Sequence, residues 1–113
     1  MASRVSLVTL DCTDVDAVAR FWAAALDRQV EPGVDGVFAY VGAEGDPFRL
    51  CIMKTPDTKV AKNRMHLDLQ AEDRQLEVKR LVALGAHVVG DHDEDGSQWT
   101  TLRDVEGNEF CVF

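Results

Sequence analysis

Apolar and polar positions alternate along "RVSLVTL" (residues 4–10), and β-branched residues are frequent there, which predicts a strand. The period then changes. In "TDVDAVARFWAAAL" (13–26), Val18, Phe21, Trp22, Ala25 and Leu26 fall on one stripe of an amphipathic helix. Thr13 or Asp14 is placed to cap it, and Asp16 lies in its first turn. Phe21 is expected in the core and Trp22 at the edge of the stripe. "VFAYVG" (37–42) and "FRLCIMK" (48–54) predict two further strands, separated by the turn composition of "AEGDP".

The order then recurs. "MHLDLQ" (65–70) predicts a strand, and "EDRQLEVKRLVALG" (72–85) a helix capped by Asp73 and stopped by Gly85. Val78, Leu81 and Val82 are expected on its buried side. "HVVG", "SQWTTLR" and "EFCVF" predict three more strands, with "DVEGN" as the last turn. "LDC…ALDRQV" from Leu10 parallels "LDL…ALGAHV" from Leu67, and "LCIM" resembles "FCVF". Each half thus offers a sheet covered on one face by its helix. Two such open faces are expected to close on each other, with a ligand cleft between them.

Length and charge narrow the functions. At 113 residues the chain suits one domain with a core of its own. A net charge of −8 and no basic stripe argue against nucleic acid. Lys54, Lys59, Lys62 and Arg64 gather around one loop, read as a solvated loop that could steer a small anion. No apolar run approaches the ~18 residues of a membrane span, and "MASRVSLVTLDC" does not read as a signal peptide. Cys12, Cys51 and Cys111 lack C-x-x-C spacing, so free thiols in a reducing cytoplasm are expected.

Several residues carry candidate chemistry. Alternation puts His66 and Asp68 on the open face of their strand, with Met65, Leu67 and Leu69 against the helix. His66 reads either as a cavity-lining imidazole hydrogen-bonded to a neighbour or as a metal ligand. His66 and Asp68 could also act as an acid–base pair, although residues so spaced on a strand more often lie side by side. Asp11, Asp68 and Glu109 should share the open faces, as acids that attract a cationic ligand or pair with Arg64 or Arg103. Cys111, between Phe110 and Val112, reads as an inert buried thiol rather than a nucleophile. "DHDEDG" (91–96) matches the opening of a calcium loop, but the position where that loop needs glutamate is Leu102, so an acidic hairpin loop is expected. Among the strand aromatics Trp99, Phe38, Tyr40, Phe48 and Phe113, some should line the ligand cleft.

"LDCTDVDAVARFWAAAL", "KNRMHLDL", "LVALGAHV" and "DVEGNEFCVF" together resemble the glyoxalase, bleomycin-resistance and dioxygenase group, the vicinal oxygen chelate superfamily, in its small bacterial glyoxalase-like form. The resemblance covers most of the chain. It implies an α+β fold in which two βαβββ modules form a cupped eight-stranded mixed sheet with helices on the convex face. One glyoxalase-like domain would span 1–113, with modules at about 1–56 and 62–113. Members of the group include metal-dependent isomerases, lyases and dioxygenases, and metal-free proteins that sequester a drug.

By the same resemblance, metal-using members take a ligand from the first and the last strand of each module. Those positions fall at Leu7, near Leu50 or at Cys51, at His66, and at Cys111, where such relatives carry glutamate. A catalytic zinc needs about three protein ligands and an open position. The leading expectation is therefore a protein that binds a small organic molecule without metal, through Asp11, His66, Asp68, Trp99, Glu109 and Cys111. The alternative is a metal-dependent lyase or isomerase with His66 and Glu109 catalytic and zinc, nickel, manganese or iron held by His66, Glu109 and Cys111, with Asp68 a further possible donor. A ligand-sensing accessory domain is a third, weaker reading. Relatives commonly pair as homodimers, so a homodimer is expected. "KNR" before the histidine strand is expected to tie the linker to a carboxylate or to a partner subunit.

Overall fold

The structure, a computed structural model, describes Ala2 and residues 4–113. The chain forms two compact units, Met1–Thr58 and Lys59–Phe113. The first runs β1 (Val8–Cys12), α1 (Val15–Leu26), β2 (Val30–Val34), β3 (Phe38–Val41) and β4 (Leu50–Lys54). The second runs β5 (Leu67–Leu69), α2 (Arg74–Ala83), β6 (His87–Glu94), β7 (Ser97–Arg103) and β8 (Glu109–Val112). Each unit is a four-stranded mixed sheet, ordered β1-β4-β3-β2 and β5-β8-β7-β6. In both, the first strand pairs in parallel with the last, and the other pairings are antiparallel. The α+β fold of two βαβββ modules is the one expected.

Local chemistry accounts for the helices. The carboxylate of Asp14 accepts from the Ala17 amide at 3.1 Å, and that of Asp73 from the Leu76 amide at 3.1 Å, so each helix begins with one orphan donor satisfied. α1 buries Val15, Val18, Ala19, Phe21, Trp22, Ala23 and Ala25. Trp22 is as fully buried as Phe21, so it is not at an edge: the small alanines let α1 lie close to its sheet and draw the indole under it. α2 is more polar. Leu81 is its one buried residue, Val78 is half-buried, and Val82 is exposed rather than packed.

Three strand expectations need correction. β2 was not anticipated, because Pro32 and Gly33 sit inside it; it is an edge strand whose register shifts between Pro32 and Val34. Strand β6 extends through "DHDE", so the expected acidic loop shrinks to the turn Asp95–Gly96, whose φ values of 51° and 80° suit a tight hairpin. That hairpin also removes the calcium loop, since Asp91 and Asp93 stand opposite Thr100 and Gln98. Lastly, β5 begins at Leu67, and Met65 before it is 85% exposed instead of packed against the helix.

The internal repeat is real but lies two residues from the alignment read in the sequence. Val8 faces Leu50 as Leu67 faces Phe110, and Thr9 faces Cys51 as Asp68 faces Cys111. Val8 therefore corresponds to Leu67, and Leu10 to Leu69. A shift of two preserves which face each side chain takes, so the apolar pattern could not reveal it.

Candidate functional site

In the second unit, Leu102, Phe110 and Val112 are fully buried on one face of the sheet. The opposite face collects the candidate chemistry. Asp68, Cys111 and Thr101 stand in one cross-strand row, because β8 pairs with β5 on one side and β7 on the other. His66 lies just before β5, and its Nδ1 is 3.0 Å from Asp68 Oδ1. Thr101 Oγ1 lies 3.5 Å from Cys111 Sγ. Donor atoms of His66, Asp68 and Cys111 all fall within 4.8 Å of one another.

Glu109 takes a different partner. Its side chain is almost fully buried, and Lys62 Nζ donates to its Oε2 at 2.6 Å. The Lys62 hydrogen bond holds the Glu109 carboxyl below its ordinary range, against the opposing effect of burial. Asn63 adds a second tie, its side-chain oxygen accepting from the Glu109 amide at 3.1 Å. The "KNR" segment is thus fastened to a carboxylate of β8. Neither Arg64 nor Arg103 pairs with Glu109, contrary to expectation.

Other positions divide between the units. Trp99 lies on β7 two residues before Thr101, so on the same face, and stacks between His92 at 5.2 Å and Phe113 at 5.6 Å. Asp11 belongs to the first unit, where it is exposed on β1 opposite Met53. There the counterpart of Cys111 is Cys51 and not Leu50, which is fully buried on the helix side. Burial raises the Cys51 thiol pKa, only partly countered by a hydrogen bond with Thr9. Arg49 stands where the second unit has Glu109; its guanidinium lies 3.8 Å over the Tyr40 ring and bonds Glu31 at 3.1 Å. Leu7 corresponds to His66. The same frame therefore carries an imidazole and two carboxylates in one unit and Leu7, Thr9 and Arg49 in the other. Phe48 lies before β4, exposed, rather than on a strand.

Beside this face of the second unit is an open cavity of about 630 Å³, lined by Lys59–Lys62, Val89, His92, Thr101, Arg103, Glu106, Gly107 and Glu109. Its size is that of an ordinary small-molecule pocket, roughly 300–1,000 Å³. The Lys59 and Arg103 contributions were not foreseen as pocket residues. The basic loop composition was the only signal for Lys59; for Arg103 it was strand parity with Thr101.

A profile described as a glyoxalase-like domain matches residues 7–113. The chain belongs to the glyoxalase-like family. Solved structures agree on the fold. A manganese-bound E126Q mutant of the fosfomycin resistance protein FosX from Listeria monocytogenes, complexed with 1S,2S-dihydroxypropylphosphonic acid, has a TM-score of 0.81 at 17% identity, covering 99% of this chain and 90% of that one. A possible glyoxalase from Bacillus cereus has a TM-score of 0.74 at 20% identity over 99% of both chains. Lactoylglutathione lyase from Agrobacterium tumefaciens has a TM-score of 0.72 at 19% identity, covering 98% of this chain and 92% of that one. No curated protein is significantly similar in sequence. Among the described residues, no helix is long and apolar enough to cross a membrane.

A divalent ion, as in the Listeria relative, can be tested against the donors present. His66, Asp68 and Cys111 supply nitrogen, oxygen and sulfur, a mixture that suits zinc, and three donors leave a position open. The set fits in number and spacing. Asp68, expected as a further donor, is in this group; the Glu109 carboxylate is bonded to Lys62.

Proposed function

We propose that this glyoxalase-like chain binds a small organic molecule in the cavity on the open face of its second unit, and does so without a resident metal. The observation that carries this is the state of the candidate donors beside a cavity of suitable size. His66 is paired with Asp68, Cys111 with Thr101, and the buried Glu109 with Lys62. Each of these groups already has a partner; His66 and Asp68 are exposed, and the buried Cys111 and Glu109 need no ion to offset their burial. Trp99, between His92 and Phe113, adds an aromatic surface on the same face. Asp11 lies in the first unit, and its part in binding rests on both units acting as a single domain. Free, buried thiols at Cys12, Cys51 and Cys111 suit a reducing compartment such as the cytoplasm. Assembly as a homodimer is part of the same proposal.

The cluster of His66, Asp68 and Cys111 favours a second reading, a metal-dependent lyase or isomerase. A bound ion would polarise an oxygen of the substrate. His66 would have to turn from Asp68 to the ion, and Cys111 would have to lose its proton. Glu109, two residues before Cys111 on β8, is then the nearby carboxylate. Its bond to Lys62 would have to open before it could move a proton, because that bond weakens it as a base.

One experiment separates the two. The protein is incubated with zinc, nickel, manganese or iron(II), dialysed and analysed for metal, and the metal-stripped form is screened with small molecules by thermal shift. The binder reading expects no stoichiometric metal and stabilising compounds whose shifts survive a chelator. About one ion per chain, lost in His66→Ala, together with shifts that vanish on chelation, would establish the metal-dependent reading instead.

A further inference from the structure

We infer that the cavity of the second unit takes a small organic carboxylate whose anionic group is gripped by Arg103. The inference rests on the small-molecule reading above and names the ligand class. The cavity is lined by three cations, Lys59, Lys62 and Arg103, and by two carboxylates, Glu106 and Glu109. Lys62 and Glu109 neutralise each other at 2.6 Å. What is left is one positive charge in excess, on a chain whose net charge is −8. A local reversal of sign in an acidic protein is where an anion is repelled least, and it concentrates anions that the general field disfavours.

Arg103 is the group built to use that charge. It stands directly across from Glu109 at the end of β7, on the cavity face, and is exposed. Glu109 is turned to Lys62; Arg103 acts on that carboxylate only through space, the weakest of the influences on it, and lies in no ion pair of 4 Å or less among the described residues. A guanidinium fork matches the two oxygens of a carboxylate in one plane, which an ammonium cannot do. Lys59 is a second cation at the rim, its ammonium already donating to the Ala61 carbonyl. Val60 and Val89 also line the cavity and are 92% and 48% exposed, an apolar surface for the body of the ligand. The arrangement therefore reads as an anion anchor with an apolar rest, and Lys62 serves to keep the buried Glu109 from repelling the anion.

The test is an amide NMR titration of the whole chain with four matched probes: benzoate, benzamide, benzylammonium and phenylphosphonate. Benzoate is expected to move the amides of Val89, Thr101 and Arg103 saturably, and to bind about tenfold or more tighter than the neutral and cationic probes. Arg103→Gln should weaken benzoate by about tenfold or more, with partial recovery in Arg103→Lys. On the unaltered protein, added salt should weaken benzoate and leave benzamide unchanged, a measurement that does not depend on how the variants fold. Benzamide or benzylammonium binding as tightly as benzoate would overturn the inference and leave the small-molecule reading standing. Phenylphosphonate binding tenfold tighter than benzoate would overturn the carboxylate assignment. Silence of all four probes would overturn the inference as well; a neutral fragment library hitting the same amides would then support the broader reading alone, and a silent library would sink both.

Discussion

Replacing Lys62 with methionine removes the ammonium that faces Glu109 while keeping most of the apolar stem. The two ends of this pair differ in burial: the Lys62 side chain is 68% exposed and that of Glu109 only 7%. At 2.6 Å, Coulomb's law gives about 1.6 kcal/mol with the dielectric of water and about 6 kcal/mol at an effective dielectric of about 20. The exposed lysine pulls the net value towards the low end, and ordering its side chain offsets about 1–2 kcal/mol more. We expect Lys62→Met to cost about 1.5–3 kcal/mol, because a buried carboxylate is left without its partner. Glu109→Gln leaves only a solvated ammonium and should cost less, about 0.5–1.5 kcal/mol. The double variant should be less damaging than the two singles added together, with a coupling of about 1–2 kcal/mol.

Urea unfolding followed by amide signals of β7 and β8 measures all three variants. The pH dependence has a definite sign. The Glu109 pKa is depressed in the folded chain, so the pair's contribution is complete above the unfolded value near 4.5 and is lost as pH falls through the lower folded value. Without Lys62 the folded Glu109 carboxyl protonates at higher pH than in the unaltered protein. The difference between the unaltered protein and Lys62→Met should therefore be largest where both carboxyls are ionised. It should shrink as pH falls through the variant's folded value towards the lower one of the unaltered protein. Equal costs for the two single changes, additive in the double, would refute the claim that Glu109 is a buried charge held by Lys62.

Other perturbations address the frame around the site. Asp104 is 1% exposed and its Oδ1 accepts from the Glu106 and Asn108 amides, both at 2.9 Å, so Asp104→Ala should cost about 2–4 kcal/mol in urea unfolding and speed hydrogen exchange at those two amides. Asp104→Asn, which can keep that acceptor, should cost less. Leu81→Ala, at the one buried position of α2, should cost about 2–5 kcal/mol by the same measurement. Gly33→Ala should destabilise the β2–β3 pair by about 1–3 kcal/mol, since the new Cβ would lie 2.7 Å from the Phe38 carbonyl oxygen and against its ring; amide exchange in β3 reports it. All three cysteines are buried, so native protein should react slowly with an aromatic disulfide reagent and unfolded protein fully, with Cys51 further slowed by its raised thiol pKa.

The elements that could be read in the sequence are those whose cause is local. Asp14 and Asp73 announce their helices because a side-chain acceptor beside the first turn is a local requirement, and both cap as expected. β2 was hidden because its pairing with β3, not its own composition, holds Pro32 and Gly33 extended. β6 was cut short for a related reason: Asp91 and Asp93 look like loop residues, yet their carboxylates accept hydrogen bonds from Thr100 and Gln98 on the paired strand at 2.6 and 3.2 Å. In the site, strand alternation was enough to put His66 beside Asp68, because both lie on one short segment. It could not choose a partner for Glu109. Lys62 and Arg103 were both available cations, and only the path of the chain before β5 decides between them.

The strand order also bears on the direction of synthesis. β4 and β8 are the last strands made in their units, and each occupies an interior place between the first strand and the third. The first sheet lacks nothing once Lys54 has been added, whereas the second cannot join β5 to β7 until Val112 exists. On a ribosome the strands of the first sheet can therefore all be free to pair before the second has its closing strand. The face that carries His66, Asp68 and Cys111 comes together only with the closing strand, so β5 has no partner in its sheet until β8 has left the ribosome.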